Sequence, residues 1–384
     1  MVGTRSDEIY VGRDYGGREV EITPEMVRQH AEAVDDRNPW YFGDSPFGGA
    51  MAPALILHSE CYKDLSWYLP NLYGNLHAKQ EWELFQPIMV GETVATRSLI
   101  VDRYAKRDRE YIVKEVSCFG TGGRLLNRGR THQSFLLGRQ EGIVVDKERE
   151  KRSDRRFDTG SEAPLEEIAG PRKDITLEMC FGFSGPSKNY HNDVEEARRL
   201  GFPDIVVQGM MPLCFLSEMM TERFGPGWLQ GGRMRVSLVN VLWQPDAVTC
   251  RGRVTERTAE GSRQRAHLQV WCEKDDCTKV VVGTASAVEG QGRRTKDRKA
   301  QQGGVPSGHR KLGLTSGGSG GALRSCQAPR RGAPSARAPC EAGGSPSPAP
   351  ASARAPAVGP WRSVLPSGRS RRRPPSARRR TTGR

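Results

Sequence analysis

Residues 183–193 read Phe183-Ser184-Gly185-Pro186-Ser187-Lys188-Asn189-Tyr190-His191-Asn192-Asp193, and after Glu196, Ala197, Gly201 and Phe202 the chain continues Ile205-Val206-Val207-Gln208-Gly209-Met210-Met211. Gly, Pro, Ser and Asn crowd the first part, the composition of a tight turn, and that turn presents His191. A short helix over Val194 to Leu200 is expected next. Gly209 and Pro212 then open an apolar run, Leu213 to Phe224, long enough for a helix. An imidazole, which moves protons near neutral pH, thus precedes a set of helix-start N–H groups. Such amides stabilise negative charge on a carbonyl oxygen.

Working outward, the pattern changes to period two, and Arg233 to Trp243, Ala247 to Thr258, Arg263 to Glu273 and Lys279 to Val288 read as strands. A helix-like start at Thr176 precedes the turn. The first part of the chain has the same order. Thr23 is an N-cap with Pro24 at the first helical position, a turn follows at Asp35 to Pro39, and an apolar helix is expected over Ala54 to Tyr68. Strands are expected at Leu76 to Phe85, Thr93 to Tyr104, Tyr111 to Phe119 and Arg124 to Leu137. Landmarks repeat at fixed offset: Pro53 and Pro212 lie 159 residues apart, and the pairs Gln86-Pro87 and Gln244-Pro245 lie 158 apart. Tyr41 and His191 lie 150 apart, because the second copy has nine more residues between turn and helix. This is an internal duplication. A long apolar helix must bury itself against its meander, and one unit leaves a sheet edge that the other can pair.

The expected organisation is a first unit over 8–141, a charged linker over 142–170, a second unit over 171–290 and a tail over 291–384. The chain holds 59 Lys and Arg against 45 Asp and Glu, net +14. The tail alone holds 21 basic residues and two acids, Asp297 and Glu341, leaving 38 basic against 43 acidic before it. The basic balance therefore belongs to the Arg/Pro/Gly/Ser-rich tail, which is expected to be disordered. A specific nucleic-acid-binding body is not indicated. The nine cysteines are scattered without a Cys-x-x-Cys pair, so neither a disulfide framework nor a zinc ribbon is suggested. No stretch reaches the ~18 apolar residues of a membrane span, and Met1 to Arg13 has no signal-peptide core. A cytoplasmic, reduced setting is the expectation.

The ordered string His191-x-Asp193, Ala197, Gly201-Phe202 and Gln208-Gly209-Met210 resembles the MaoC-like (R)-specific enoyl-CoA hydratases and acyl dehydratases. The first unit, with Asp36-Arg37-Asn38-Pro39, Gly48-Gly49 and Ala52-Pro53, resembles their fatty-acid-synthase-type dehydratase half. The resemblance covers about residues 8–289. It implies an α+β double hotdog, two tandem units whose antiparallel sheets join edge to edge, each wrapping a long helix. It also implies a substrate, an acyl-CoA or acyl-carrier thioester, and no metal or redox cofactor, since the thioester itself acidifies the α-carbon. A homodimer is compatible with it.

In that family an Asp and a His of an Asp-x-Asn-Pro-x-His signature hold the water added to or lost from the thioester, and a glycine N–H meets the thioester carbonyl. By this match His191 is the catalytic histidine and Gly209 the oxyanion donor. Pro186 occupies the Asp position, Lys188 the Asn position, Asn189 the Pro position, and Gln208 stands where a histidine would precede Gly209. The first copy has Asp36, Asn38 and Pro39 but Tyr41 at the His position. Asp193 is the nearest acid to His191 and a candidate to orient the imidazole; it is equally suited to capping the following helix. Asn189 or Asn192 would position water without charge, and Asp36 with Tyr41 would form a site of its own. Gln208 and Met210 complete the expected substrate contacts. His30, His58, His77, His132 and His267 are expected to be surface or satisfied core residues.

The expected function is reversible hydration of a 2-enoyl-CoA, or dehydration of the (R)-3-hydroxyacyl-CoA, with the first copy shaping the acyl channel. The alternatives are a hotdog protein that binds acyl thioesters without turning them over, for which Pro186 speaks, and a thioesterase using Glu218 or Glu60.

Overall fold

The computed structural model describes residues 9–63, 76–107, 109–136 and 163–290. The tail from residue 291, and most of the expected linker, lie outside the described residues.

Ten strands form one antiparallel sheet. They are β1 (Asp14–Glu21), β2 (Leu76–Leu84), β3 (Thr93–Lys106), β4 (Arg109–Phe119), β5 (Leu125–Leu136), β6 (Glu166–Asp174), β7 (Arg233–Leu238), β8 (Ala247–Glu260), β9 (Arg263–Lys274) and β10 (Lys279–Glu289), in the order β1-β3-β4-β5-β2-β7-β10-β9-β8-β6. Read from either edge the order is the same: β1, β3, β4, β5, β2 in one half and β6, β8, β9, β10, β7 in the other. The halves join where β2 pairs β7, with Trp82 opposite Met234 and Gln80 opposite Val236. The duplication read from landmark spacing is therefore a pseudo-two-fold pair, and its shared edge is the one that each unit alone would leave open.

Among the described residues five helices accompany the sheet: α1 (Pro24–Ala33), α2 (Leu177–Ser184), α3 (Val194–Arg199), α4 (Met211–Phe224) and α5 (Pro226–Leu229). Thr23 accepts the amide of Met26 at 3.1 Å and Thr176 that of Met179 at 3.2 Å, so α1 and α2 start on equivalent caps in the two halves. Helix α4 is the central helix of the second half. Among its residues only Glu222 and Arg223 escape burial, which its apolar sequence requires.

Three expectations need correction. The helix over Ala54 to Tyr68 is not formed in its described part: residues 54–63 make turns and one 3-10 turn at His58–Cys61, and 64–68 lie outside the described residues. The carbonyls an α-helix would use are drawn off by the buried ammonium of Lys114, which donates to Glu60 O at 3.0 Å and to Lys63 O, and by Asn127 Nδ2, which donates to Ala54 O at 3.3 Å. The strand expected to reach Trp243 stops at Leu238, and Trp243 bridges Val206 instead. Strand β6 begins at Glu166, inside the stretch read as linker. With β1 it forms the outer edges of the sheet, where few apolar residues and a register shift in each strand, between Asp14 and Gly17 and between Ala169 and Arg172, leave little alternation to read in the sequence.

Candidate active site

The turn before α3 is held by its own amides. Asn189 accepts the His191 amide at 2.9 Å, and its Nδ2 donates to Ser184 O and Ser187 O at 3.0 and 2.9 Å. Asn192 accepts the Asn189 amide and donates to Ser187 O. Both asparagines are thus consumed in shaping the turn. Two bonds tie it to the strand-like stretch leading to α4: Val206 N donates to Tyr190 O at 3.2 Å, and His191 Nδ1 lies 2.7 Å from Val206 O. The second fixes the tautomer. A carbonyl only accepts, so Nδ1 carries the proton and Nε2 keeps the lone pair. Burial pushes the His191 imidazole down to about 4, so the ring is neutral.

From Val206 it is three residues to Gly209. Among the described residues no carbonyl accepts the amides of Gly209 or Met210, which precede the first turn of α4. Gly209 packs so closely that a Cβ there would meet Leu238 Cδ2 of its own half at 2.6 Å and His77 Nδ1 of the other half at 3.1 Å. His191, Gly209 and Gln208 all line one cavity of about 620 Å³ between the halves, walled by Tyr62, His77, Tyr111, Tyr190, Leu238 and Val281 among others. The buried Oε1 of Gln208 has no hydrogen-bond partner among the described residues.

His77 and Tyr62, contributed by the first half, were not expected here. The Tyr62 hydroxyl lies 2.9 Å from His77 Nδ1, and His77 Nε2 lies 3.0 Å from Gln80 Oε1. Gln80 donates through Nε2 to Glu81 O and accepts from the Thr131 hydroxyl at 2.7 Å, so the oxygen toward His77 is an acceptor. His77 therefore holds its proton on Nε2, and Nδ1 accepts from the Tyr62 hydroxyl. Burial pushes this imidazole down to about 4 as well, and lifts the Tyr62 phenol well above its ordinary range. His77 is satisfied as expected, both ring nitrogens being paired, and in addition it lines the cavity.

Other expected site residues lie elsewhere. Asp193 caps α3, its Oδ1 accepting the amides of Glu195 and Glu196 at 3.0 Å each and its Oδ2 pairing with Lys188 at 2.8 Å. Both oxygens are engaged away from the imidazole, and the Lys188 ammonium holds the carboxyl below its ordinary range. Met210 is fully buried in the core and does not line the cavity. Asp36 and Tyr41 bond each other at 2.7 Å. Asp36 lines a second, separate cavity of about 520 Å³ with Lys173 and Glu218. Glu218 is paired with Lys173 at 2.9 Å, and burial pushes it up to about 8. Neither Glu218 nor Glu60 lines the His191 cavity. Among the described residues no helix is long and apolar enough to cross a membrane.

Residues 10–119 match the family model described as FAS1-like, dehydratase domain region. No curated protein sequence matches the chain. Among solved structures, the chain is similar to a MaoC-like dehydratase from Phytophthora capsici, with 15% identity, a TM-score of 0.55, and coverage of 75% of this chain and 99% of that one. It is also similar to the peroxisomal multifunctional enzyme type 2 from Drosophila melanogaster at 14% identity and a TM-score of 0.51, covering 71% of this chain and 48% of that one. A third is a conserved hypothetical protein from Mycobacterium tuberculosis described as a double hotdog fold, at 13% identity and a TM-score of 0.50, covering 73% of this chain and 96% of that one. The chain therefore has the hotdog fold of these proteins, and residues 10–119 are similar to the dehydratase-region model.

Proposed function

We propose that the chain is a hydro-lyase that adds water reversibly across the double bond of a 2-enoyl thioester. The single observation carrying this reading is that His191, with Nε2 unprotonated, and Gly209, with an unaccepted amide, line the same mainly apolar cavity between the halves. An apolar slot suits an acyl chain.

In the hydration direction the water oxygen bonds to the β-carbon while its proton passes to Nε2 of His191. The displaced electron pair moves to the thioester oxygen, where the Gly209 amide stabilises it. The α-carbon then takes the proton from the imidazolium, and the catalyst is restored. Dehydration is the reverse. With Pro186 at the position of the family's aspartate, the water is held instead by a lone pair of the Tyr62 hydroxyl, whose own proton is committed to His77. Electrostatic preorganisation replaces the missing carboxylate charge. Hydrolysis of the thioester is less favoured, because the two carboxylates considered for it lie outside the cavity.

The test is incubation of the full chain with crotonyl-CoA and longer enoyl-CoAs. Loss of conjugated-thioester absorbance without free thiol supports hydration; thiol release overturns it in favour of hydrolysis, and binding with neither change overturns catalysis. His191→Ala is expected to lower turnover at least ~100-fold, the usual range for loss of a general acid–base, with melting temperature little changed.

A further inference from the structure

His30, His58 and Cys214 come from three elements, α1, the turn at His58–Cys61 and α4, and each brings one donor atom into a set lying within 4.8 Å of one another. All three are buried, and none lines the His191 cavity. Each histidine also has a solvent-shielded nitrogen without a hydrogen-bond partner among the described residues, Nε2 in His30 and Nδ1 in His58. Buried polar atoms are almost always satisfied, and an exception calls for a physical cause. The ring of His58 is stacked on Phe183 at 4.1 Å between centroids and 9° between planes, and the His30 ring sits 5.3 Å from it. Their orientation is thus set by packing.

We propose that His30, His58 and Cys214 form a metal site for zinc that joins the two halves of the chain. Two imidazoles and a thiolate are a borderline-soft donor set, which suits zinc over the hard cations that prefer oxygen. Zinc–nitrogen bonds of about 2.0–2.1 Å and zinc–sulfur bonds of about 2.3 Å place tetrahedral donors roughly 3.4–3.8 Å apart. Closing the observed spacing needs movements of about 1 Å, within side-chain rotation. Both rings are neutral at physiological pH, because burial pushes His30 down to about 3 and His58 to about 4. Cys214 is held protonated chiefly by burial. Zinc binding releases the thiol proton and leaves one net positive charge, where monovalent copper would leave none. His30 and His58 belong to the first half and Cys214 to the central helix of the second, so the ion would cross-link the duplication.

The full chain would be unfolded in guanidinium and refolded with Co²⁺ or Zn²⁺, because the three side chains are buried. The expected result is one cobalt per chain with a thiolate-to-cobalt absorption band in the near ultraviolet. Zinc is expected to raise the melting temperature by several degrees, roughly what tight binding to the native state gives. The isosteric Cys214→Ser should remove the band, and Cys180→Ser should keep it. Absence of stoichiometric cobalt, survival of the band in Cys214→Ser, or capture of monovalent copper alone would overturn the assignment.

Discussion

A side chain on Gly209 would collide with His77: the first carbon would stand 3.1 Å from the imidazole Nδ1 and 2.6 Å from Leu238 Cδ2. The start of the second half's central helix and a strand of the first half therefore close on each other through a residue without a Cβ. Gly209→Ala is expected to destabilise by ~1–3 kcal/mol, the usual range for overpacking, and to lower turnover at least ~10-fold by displacing His77 and the donor amide. Combining it with Leu238→Ala relieves the nearer clash. Thermal melts of the double variant should recover most of the loss while turnover stays low. Recovery of both would show that the closeness to His77 is packing alone.

Tyr62→Phe removes the hydroxyl that donates to His77 and leaves the ring's bulk. If this hydroxyl holds the water, kcat should fall ~10–100-fold with KM for the acyl thioester nearly constant, the signature of an interaction made in the transition state. Single-turnover measurements with crotonyl-CoA would read the chemical step directly. A rise in KM at constant kcat would make Tyr62 a lining residue only.

How far the sequence could be read is clearest from this pair. The duplicated order of helix, turn and meander was legible, because landmark spacing and period-two alternation survive in eight of the ten strands. His191 and Gly209 were legible as neighbours because the connecting stretch is short. His77 was not. Gln80, Trp82 and Leu84 are buried on alternate positions of β2, which by strict alternation puts His77 on the opposite face. A register shift between His77 and Lys79 breaks that parity, and a bulge re-aims the side chain inward. Tyr62 was hidden for another reason: Ala54 to Tyr68 has an α-helical composition, but Lys114 and Asn127, distant in sequence, take its carbonyls. The edge strands β1 and β6 were missed because each has few apolar residues and a register shift, at Asp14/Gly17 and Ala169/Arg172, that breaks their alternation.

Asp193 separates capping from catalysis. Its Oδ1 accepts two amides at the start of α3 and its Oδ2 pairs with Lys188. Asp193→Ala is expected to cost about 1 kcal/mol of stability, as loss of an N-cap does, and to leave kcat/KM within ~3-fold. A much larger kinetic loss, with a melting temperature close to that of the native chain, would return Asp193 to the reacting centre.

Acid stability follows from four imidazoles. Burial pushes His30 to about 3 and His58, His77 and His191 to about 4 in the folded chain, against an ordinary value near 6.5. Below pH 6.5 the unfolded chain takes up protons that the native one refuses. Their contribution is therefore complete above pH 6.5 and is lost as pH falls toward 4, with a slope of up to about 1.4 kcal/mol per pH unit for each ring. Glu218 runs the other way. Held up to about 8, it contributes most below its ordinary carboxylate range and loses that contribution as pH rises through 8. Melting temperature should thus fall steeply as pH drops from 6.5 to 5, where Glu218 offsets only one of the four rings and before most carboxylates titrate, and decline more gently as pH rises from 6.5 to 8, levelling off above it. Calorimetry across pH 5–9 reads both limbs. A flat profile from pH 7 to 5 would mean that these imidazoles titrate normally in the folded chain, and the neutral Nε2 of His191 on which the proposed proton transfer depends would lose its physical basis at mildly acidic pH.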